Sequence, residues 1–309
     1  MRVFVTGASG WIGSAVTAEL RERGHEVLGL VRSAEGASRV EALGAEALRG
    51  SIDDLDLLAS AAAGADGVLH LAFKHDIAFA GGSFQDAVDA DRRAAQALGE
   101  ALVGTGKPFS IASGIIGAAP GRVAGETDGQ EDGGTTGLYD ETGWTRLDTA
   151  HEVRDLSQRG VRSSVVRLAP TNHGDGDNGF MASLVATARR TGVAGYVGDG
   201  TNRWCAVHRL DTAHLFCLAL EAAPAGSTLH AVAEEGVALA EVAAVIGRHL
   251  DLPTASVDPA DAAAHFGWLA GPVSADCPAS SALTRQRLGW RPVQPGLLAD
   301  LDRGHYFTR

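Results

Sequence analysis

Gly7, Gly10 and Gly13 stand in TGASGWIG, behind the apolar run Val3 to Thr6 and ahead of Ile12, Val16 and Leu20, which share one face of a helix that Gly24 ends. Strand, glycine turn and amphipathic helix in that order are the context in which such a pattern binds a dinucleotide. Gly7 permits the tight turn, Gly10 lets backbone amides approach a pyrophosphate without a Cβ in the way, and Gly13 allows helix and strand to pack closely. The helix N-terminus then faces the phosphates with its partial positive charge. Ser9, Trp11 and Ile12 share the turn and are assigned to the cofactor with it. About 20 residues further on, where an NAD site would place an acid, the chain reads Leu30-Val31-Arg32-Ser33. A guanidinium fork and a hydroxyl suit a 2′-phosphate, so NADP(H) is preferred and NAD(H) is the alternative. The competing reading of Arg32 is an ordinary exposed arginine at a strand end.

A second cluster, Phe73-Lys74-His75-Asp76, follows the fourth apolar run. In α/β proteins that carboxyl edge of the sheet is where ligands sit. His75 can give and take protons near neutral pH, Asp76 can orient it, and Lys74 can carry charge toward a substrate. A solvated charged loop explains the same letters. Lysine otherwise occurs only at Lys107, and the net charge is -12, so there is no basic footprint for nucleic acid or anionic lipid. Cys205, Cys217 and Cys277 are odd in number and lack metal-ligand spacing, which reads as reduced structural thiols and no metal site. A serine hydrolase would need a G-x-S-x-G elbow, which is absent.

The elements that must position these groups follow from the apolar rhythm. Runs at Val3 to Thr6, Val27 to Val31, Val68 to Ala72, Phe109 to Ala112 and Val165 to Leu168 alternate with helical stretches near 53–63, 84–104 and 146–159. That alternation predicts right-handed βαβ crossovers and a parallel sheet. The expected fold is α/β, a Rossmann-type doubly wound parallel sheet with a smaller C-terminal substrate lobe. Residues 1–170 form the nucleotide domain, completed by about 203–232 through a strand containing Trp204 to Val207 and a helix from Asp211. Residues 171–202 and 233–309 form the lobe, where Leu239, Val242, Val245 and Ile246 mark the clearest helix. The 309 residues, 45% apolar and 21% charged, are a globular composition. The N-terminal apolar run is too short for a signal-peptide core or a membrane span, so a cytoplasmic address is expected.

The motifs in order resemble the extended-type short-chain dehydrogenases/reductases, the group of NAD-dependent epimerases and dehydratases. TGASGWIG resembles the family's TGxxGxxG, HLAF (70–73) its fourth-strand HLA, IASGIIG its serine-bearing fifth strand, and RLAPTNHG the segment that closes over nicotinamide. AVHRLD resembles its VHxxD and LGWRP its tail. The resemblance implies that Asp53 approaches the adenine, that Leu71, Ala72, Phe73 and Pro170 border the cofactor, and that homodimers form through paired helices. It further implies that Ser113 hydrogen-bonds a substrate oxygen, that His173 contacts substrate, and that His208 stabilises its loop while Asp211 caps the next helix.

The family's Tyr-x-x-x-Lys pair is missing. Counting back from Arg167 and Glu152 puts Trp144 and Asp148 at the two positions, and neither can replace an acid/base tyrosine or a lysine charge. The chain therefore resembles the atypical members. Trp144 is left as a substrate contact, and the nearest cations are Arg146, His151 and Arg154. Tyr139, in the Gly-rich stretch 133–143, is a candidate to replace the missing hydroxyl. The expected activity is NADP(H)-dependent reduction of a carbonyl or related unsaturated group on a small organic molecule, with Ser113 polarising the oxygen and His75, Tyr139 or water supplying the proton. The alternatives are a non-redox lyase, isomerase or cyclase in the same cleft, and a non-catalytic NADP-binding regulator.

Overall fold

A computed structural model describes residues 1–75, 83–129 and 145–308. The chain opens with β1 (Arg2–Thr6), α1 (Trp11–Glu22), β2 (Glu26–Val31), α2 (Ala34–Ala42), β3 (Glu46–Arg49), α3 (Leu55–Gly64) and β4 (Gly67–His70). It continues with α4 (Phe84–Glu100), β5 (Pro108–Gly114), α5 (Arg146–Asp155), β6 (Arg162–Leu168) and β7 (Thr171–His173). Then come α6 (Phe180–Thr191), β8 (Ala194–Val197), β9 (Arg203–His208), α7 (Arg209–Ala222), β10 (Ser227–Ala231), β11 (Glu234–Ala238), α8 (Leu239–Leu250) and β12 (Thr254–Val257).

Seven strands form one sheet in the order β10-β6-β5-β4-β1-β2-β3, and every neighbouring pair is parallel. Side chains of a strand alternate between faces, so a sheet covered on both sides must be apolar at consecutive positions. In β1, Val3 and Val5 enter the core layer that also holds Val16, Leu20, Phe216 and Leu220 from α1 and α7. Phe4 between them enters the opposite layer with Leu58, Leu98 and Phe109. All three are fully buried, each contributing about 1.5–3 kcal/mol of apolar transfer. The strand order changes direction at β1, and ligands of such sheets sit at the carboxyl ends on either side of that point.

Two expectations need correction. β9 does not return to the large sheet; it lies between β7 and β11 in a three-stranded sheet, and only α7 and β10 complete the first layer. Asp211 does not cap α7 either. His208 is the N-cap, its ring accepting the Leu210 N–H at 3.2 Å. The buried Asp211 carboxylate instead accepts the N–H groups of Val293 at 2.9 Å and Gln294 at 3.1 Å, while its carbonyl accepts Trp290 Nε1–H at 3.0 Å. The AVHRLD and LGWRP motifs thus form one lock between α7 and the tail. Asp211→Ala leaves two amides without their acceptor and is expected to cost about 2–4 kcal/mol of unfolding free energy. Chemical denaturation checks this, and a loss below about 1 kcal/mol would show that water satisfies those amides.

The lobe has its own core of Met181, Leu184, Trp204, Val242, Ile246, Leu297 and Leu301. Cys205, Cys217 and Cys277 are buried and unbridged, and burial pushes each thiol up, the last to about 12. Among the described residues no helix is long and apolar enough to cross a membrane.

Candidate active site

A cleft of about 830 Å³ runs across the carboxyl ends of β1, β2, β4 and β5, lined at one end by the glycine turn and at the other by α5, β7 and the start of α6. Gly7 sits at φ +72°, and a Cβ there would lie 2.9 Å from the Ala72 backbone nitrogen. The Gly7 carbonyl accepts the Gly10 N–H at 2.9 Å, and a Cβ on Gly13 would fall 1.9 Å from that carbonyl oxygen. The turn is therefore held between α1 and the segment after β4. No side chain caps α1, so its first amides face the cleft. A turn that leaves no space for Cβ atoms and ends in uncapped helix amides fits a dinucleotide diphosphate. Ser9, Trp11 and Ile12 line the same wall, and Trp11 Nε1–H donates to the Asn172 carbonyl at 3.2 Å.

Arg32 lines the cleft beyond β2, and Arg49 from β3 donates to the Arg32 carbonyl at 3.4 Å. Ser33 is not a lining residue: it caps α2, its Oγ accepting the Gly36 N–H at 3.0 Å. Asp53 and Lys74, expected at the adenine and the substrate, are an ion pair. Both Asp53 oxygens accept from Lys74 Nζ, at 2.8 and 2.7 Å, and that contact holds the carboxyl below its usual range. Lys74 lines the cleft with its charge balanced by Asp53. Leu71, Ala72, Phe73 and Pro170 all line it as well.

Ser113, the next-to-last residue of β5, lies on the cleft floor, buried to 2% exposure, and its Oγ has no hydrogen-bond partner among the described residues. His75 is exposed at the cleft, its ring edge-on to Phe73 with centroids 5.1 Å apart. Asp76, Tyr139 and Trp144 lie outside the described residues. His173 departs from expectation: it is fully buried outside the cleft lining, and Nδ1 lies 2.9 Å from Asp300 Oδ2. Its ring supports the loop from behind, T-shaped against His208 at 5.3 Å.

Asp148 also departs. Thr145 and Asp148 form a capping box, the Asp148 carboxylate accepting the Thr145 N–H at 2.8 Å. That cap starts α5 at Arg146 and turns Arg146, rather than Asp148, into the cleft. His151 Nε2 contacts the Gly129 carbonyl at 2.7 Å, and Arg167 donates to the carbonyls of Asp128 and Gly129, so both anchor the backbone before residue 130. Burial pushes the Arg167 guanidinium down to about 10. Asp177 is a lining residue that the sequence reading passed over. Tyr306 Oη–H donates to one carboxylate oxygen at 2.9 Å and the Gly179 N–H to the other at 2.6 Å, and burial raises its pKa. Its signal was its place in the polar loop 172–179.

Of the lobe aromatics, Phe180 and Trp268 line the cleft with ring centroids 5.5 Å apart. Trp204 and Phe266 are buried in the lobe core. Phe180 and Trp268, with Phe73, Phe84, Ile116 and Met181, make the end beyond Ser113 largely apolar.

Residues 3–232 match the NAD dependent epimerase/dehydratase family. Two uncharacterized yeast proteins are similar over nearly the full length. C2A9.02 of Schizosaccharomyces pombe is 42% identical, covering 99% of this chain and 100% of its own. YLL056C of Saccharomyces cerevisiae is 43% identical, covering 99% of each. A shorter match, 43% identical over 72 residues (23% of this chain and 22% of the relative), is to a 4-hydroxy-2-methyl-3-oxo-4-farnesyl-3,4-dihydroquinoline-1-oxide ketoreductase of Stigmatella aurantiaca. Among solved structures, MoeE5 in complex with UDP-glucose and NAD superposes with a TM-score of 0.71 at 21% identity, over 97% of this chain and 96% of that one. With most of its length matched, the chain belongs to the NAD dependent epimerase/dehydratase family.

Proposed function

We propose that this chain is an NADP(H)-dependent reductase acting on a carbonyl, or a related unsaturated group, of a small organic molecule with an apolar body. The observation that carries the reading is Ser113: a buried hydroxyl with no hydrogen-bond partner among the described residues, on the floor of a cleft that runs from a phosphate-binding turn to an apolar end. A buried polar group left unpaired by the protein is costly unless a ligand satisfies it. The ketoreductase named above, although matched over a short stretch, acts on a ring-bearing ketone by its name and so favours the same chemistry.

The turn from Gly7 to Gly13 and the first amides of α1 hold the diphosphate. Arg32 and Arg49, with no carboxylate at the end of β2, favour a 2′-phosphate. The bound reduced nicotinamide supplies a hydride. Ser113 Oγ–H donates to the substrate oxygen, and His75, at the open side of the same cleft, delivers the proton. The apolar wall of Phe84, Phe180, Met181 and Trp268 takes the rest of the substrate and excludes water.

The test is NADPH oxidation, followed by absorbance, against a panel of aromatic and aliphatic ketones, aldehydes and enones. Stoichiometric consumption with at least one carbonyl is expected. Ser113→Ala should lower kcat by about 100-fold and leave NADPH affinity within about threefold. Nucleotide binding without consumption by any carbonyl would overturn the reading in favour of a non-redox enzyme or a regulator.

A further inference from the structure

We infer that the Arg146 guanidinium and the Ser113 hydroxyl are one oxyanion-binding pair, with Arg146 held in place by a buried chain through Asp91, His70 and Thr6. The inference deepens the reading above and rests on its placement of the substrate oxygen at the end of β5.

Three cations line the described cleft: Arg32, Lys74 and Arg146. Arg32 stands beyond β2, and Lys74 gives its ammonium to Asp53. Arg146 remains, in the first turn of α5. Its Nη2–H donates to the Ala112 carbonyl at 2.8 Å, which sets the guanidinium beside the backbone that carries Ser113. The same group lies over the Phe73 ring, 4.3 Å from the centroid. Its Nε–H is buried without a hydrogen-bond partner among the described residues. That nitrogen faces inward, but a guanidinium has five N–H donors, four of them on the two Nη atoms, so the Nη–H groups not given to Ala112 bring donors as well as charge to a ligand oxygen.

The support behind it is built from polar groups that the sheet buries. Thr6 Oγ1 accepts the N–H groups of Leu71 and Ala72, both at 3.2 Å. Its own proton therefore goes to His70 Nδ1 at 2.7 Å, which turns Nε2 toward Asp91 Oδ1, 3.2 Å away but outside hydrogen-bond geometry. Asp91 is 3% exposed, and its other oxygen lies 3.8 Å from Arg146 Nε. Burying a carboxylate this deeply is costly unless charged or polar groups face it. Here its partners are an imidazole behind and a guanidinium in front, and Asp91 is the positioning residue.

In carbonyl reduction the carbon gains the hydride with its two electrons, and the C=O π pair moves onto oxygen. That oxygen then takes a proton to give the alcohol, leaving oxidised nicotinamide. The negative charge is present in the transition state and absent from the carbonyl, so a fixed cation beside the oxygen stabilises the former more. Arginine stays protonated and cannot supply the proton itself, which confines Arg146 to electrostatics.

The test uses benzoate, whose carboxylate presents a charged oxygen to the pair, titrated into the intact protein saturated with NADP+. Benzoate is expected to bind at millimolar strength. Arg146→Met should weaken it by at least about tenfold and Ser113→Ala by about threefold, with Arg146→Lys between wild type and Met. NADPH affinity should stay within about threefold in all three, which also shows that they are folded. With any carbonyl that the wild type reduces, Arg146→Met should lower kcat by about 100-fold. Asp91→Asn should lower kcat while benzoate binding is retained, because the cation persists without its anchor; loss of both would overturn the role given to Asp91. Benzoate binding unaffected by Arg146→Met, or no benzoate binding at about 100 mM, would overturn the pair. If benzoate binding depends on both residues while no carbonyl is reduced, the pair stands and the reductase reading fails.

Discussion

Gly13→Ala is expected to remove measurable nucleotide binding and to destabilise the fold by about 2–4 kcal/mol. The added methyl would meet the Gly7 carbonyl oxygen at 1.9 Å and its carbon at 2.8 Å, and both are backbone atoms. Gly7 has little room to give way, because even one methyl on it would lie 2.9 Å from the Ala72 backbone nitrogen and 3.0 Å from the Leu71 carbonyl carbon. Displacing the carbonyl also breaks its bond from the Gly10 N–H. The amides of α1 would then no longer converge on one point, and NADPH affinity should fall by at least about 100-fold. Fluorescence titration with NADPH and denaturant midpoints measure the two effects separately. Wild-type affinity in the variant would show that the nucleotide does not rest on this turn.

Arg32→Ala is expected to separate the two nucleotides. A guanidinium on a phosphate makes charge-assisted hydrogen bonds worth about 1.5–3 kcal/mol, so NADPH affinity should drop about 10- to 100-fold while NADH affinity stays within about threefold. Arg49, bonded to the Arg32 carbonyl, leaves some positive charge at that corner, which places the loss toward the lower figure. Equal losses for both nucleotides would indicate a general effect on the cleft, and no loss for either would leave Arg32 an exposed strand-end arginine.

The parts of the site carried by local spacing were legible in the sequence. Gly7, Gly10 and Gly13 act within a single turn, and the strand before them and the helix after them are amphipathic or apolar at their own periods. β3 was not legible. Glu46–Arg49 is a four-residue edge strand with charged ends, and nothing in its pattern separates it from a loop. The orientation of α5 was decided by its start. Counting along the family pattern gave Trp144 and Asp148, whereas the Thr145 and Asp148 capping box, a spacing visible in the sequence, fixes Arg146 as the first helical residue and puts it in the cleft. His173 and Asp211 were identified from motifs, but their partners Asp300, Val293 and Gln294 lie far along the chain. Pairings over such separations are set by how the tail packs across the lobe, which single-sequence patterns do not encode. The pairing of Lys74 with Asp53 was missed for the same reason, since each residue was judged by its own motif.

A crystal structure of the intact protein grown with NADPH tests the central claim most directly. The diphosphate is predicted to lie against the backbone amides of residues 10–12, with the 2′-phosphate beside Arg32 and the nicotinamide end toward Ser113. A nucleotide bound elsewhere, or a cleft free of nucleotide at millimolar NADPH, would contradict it.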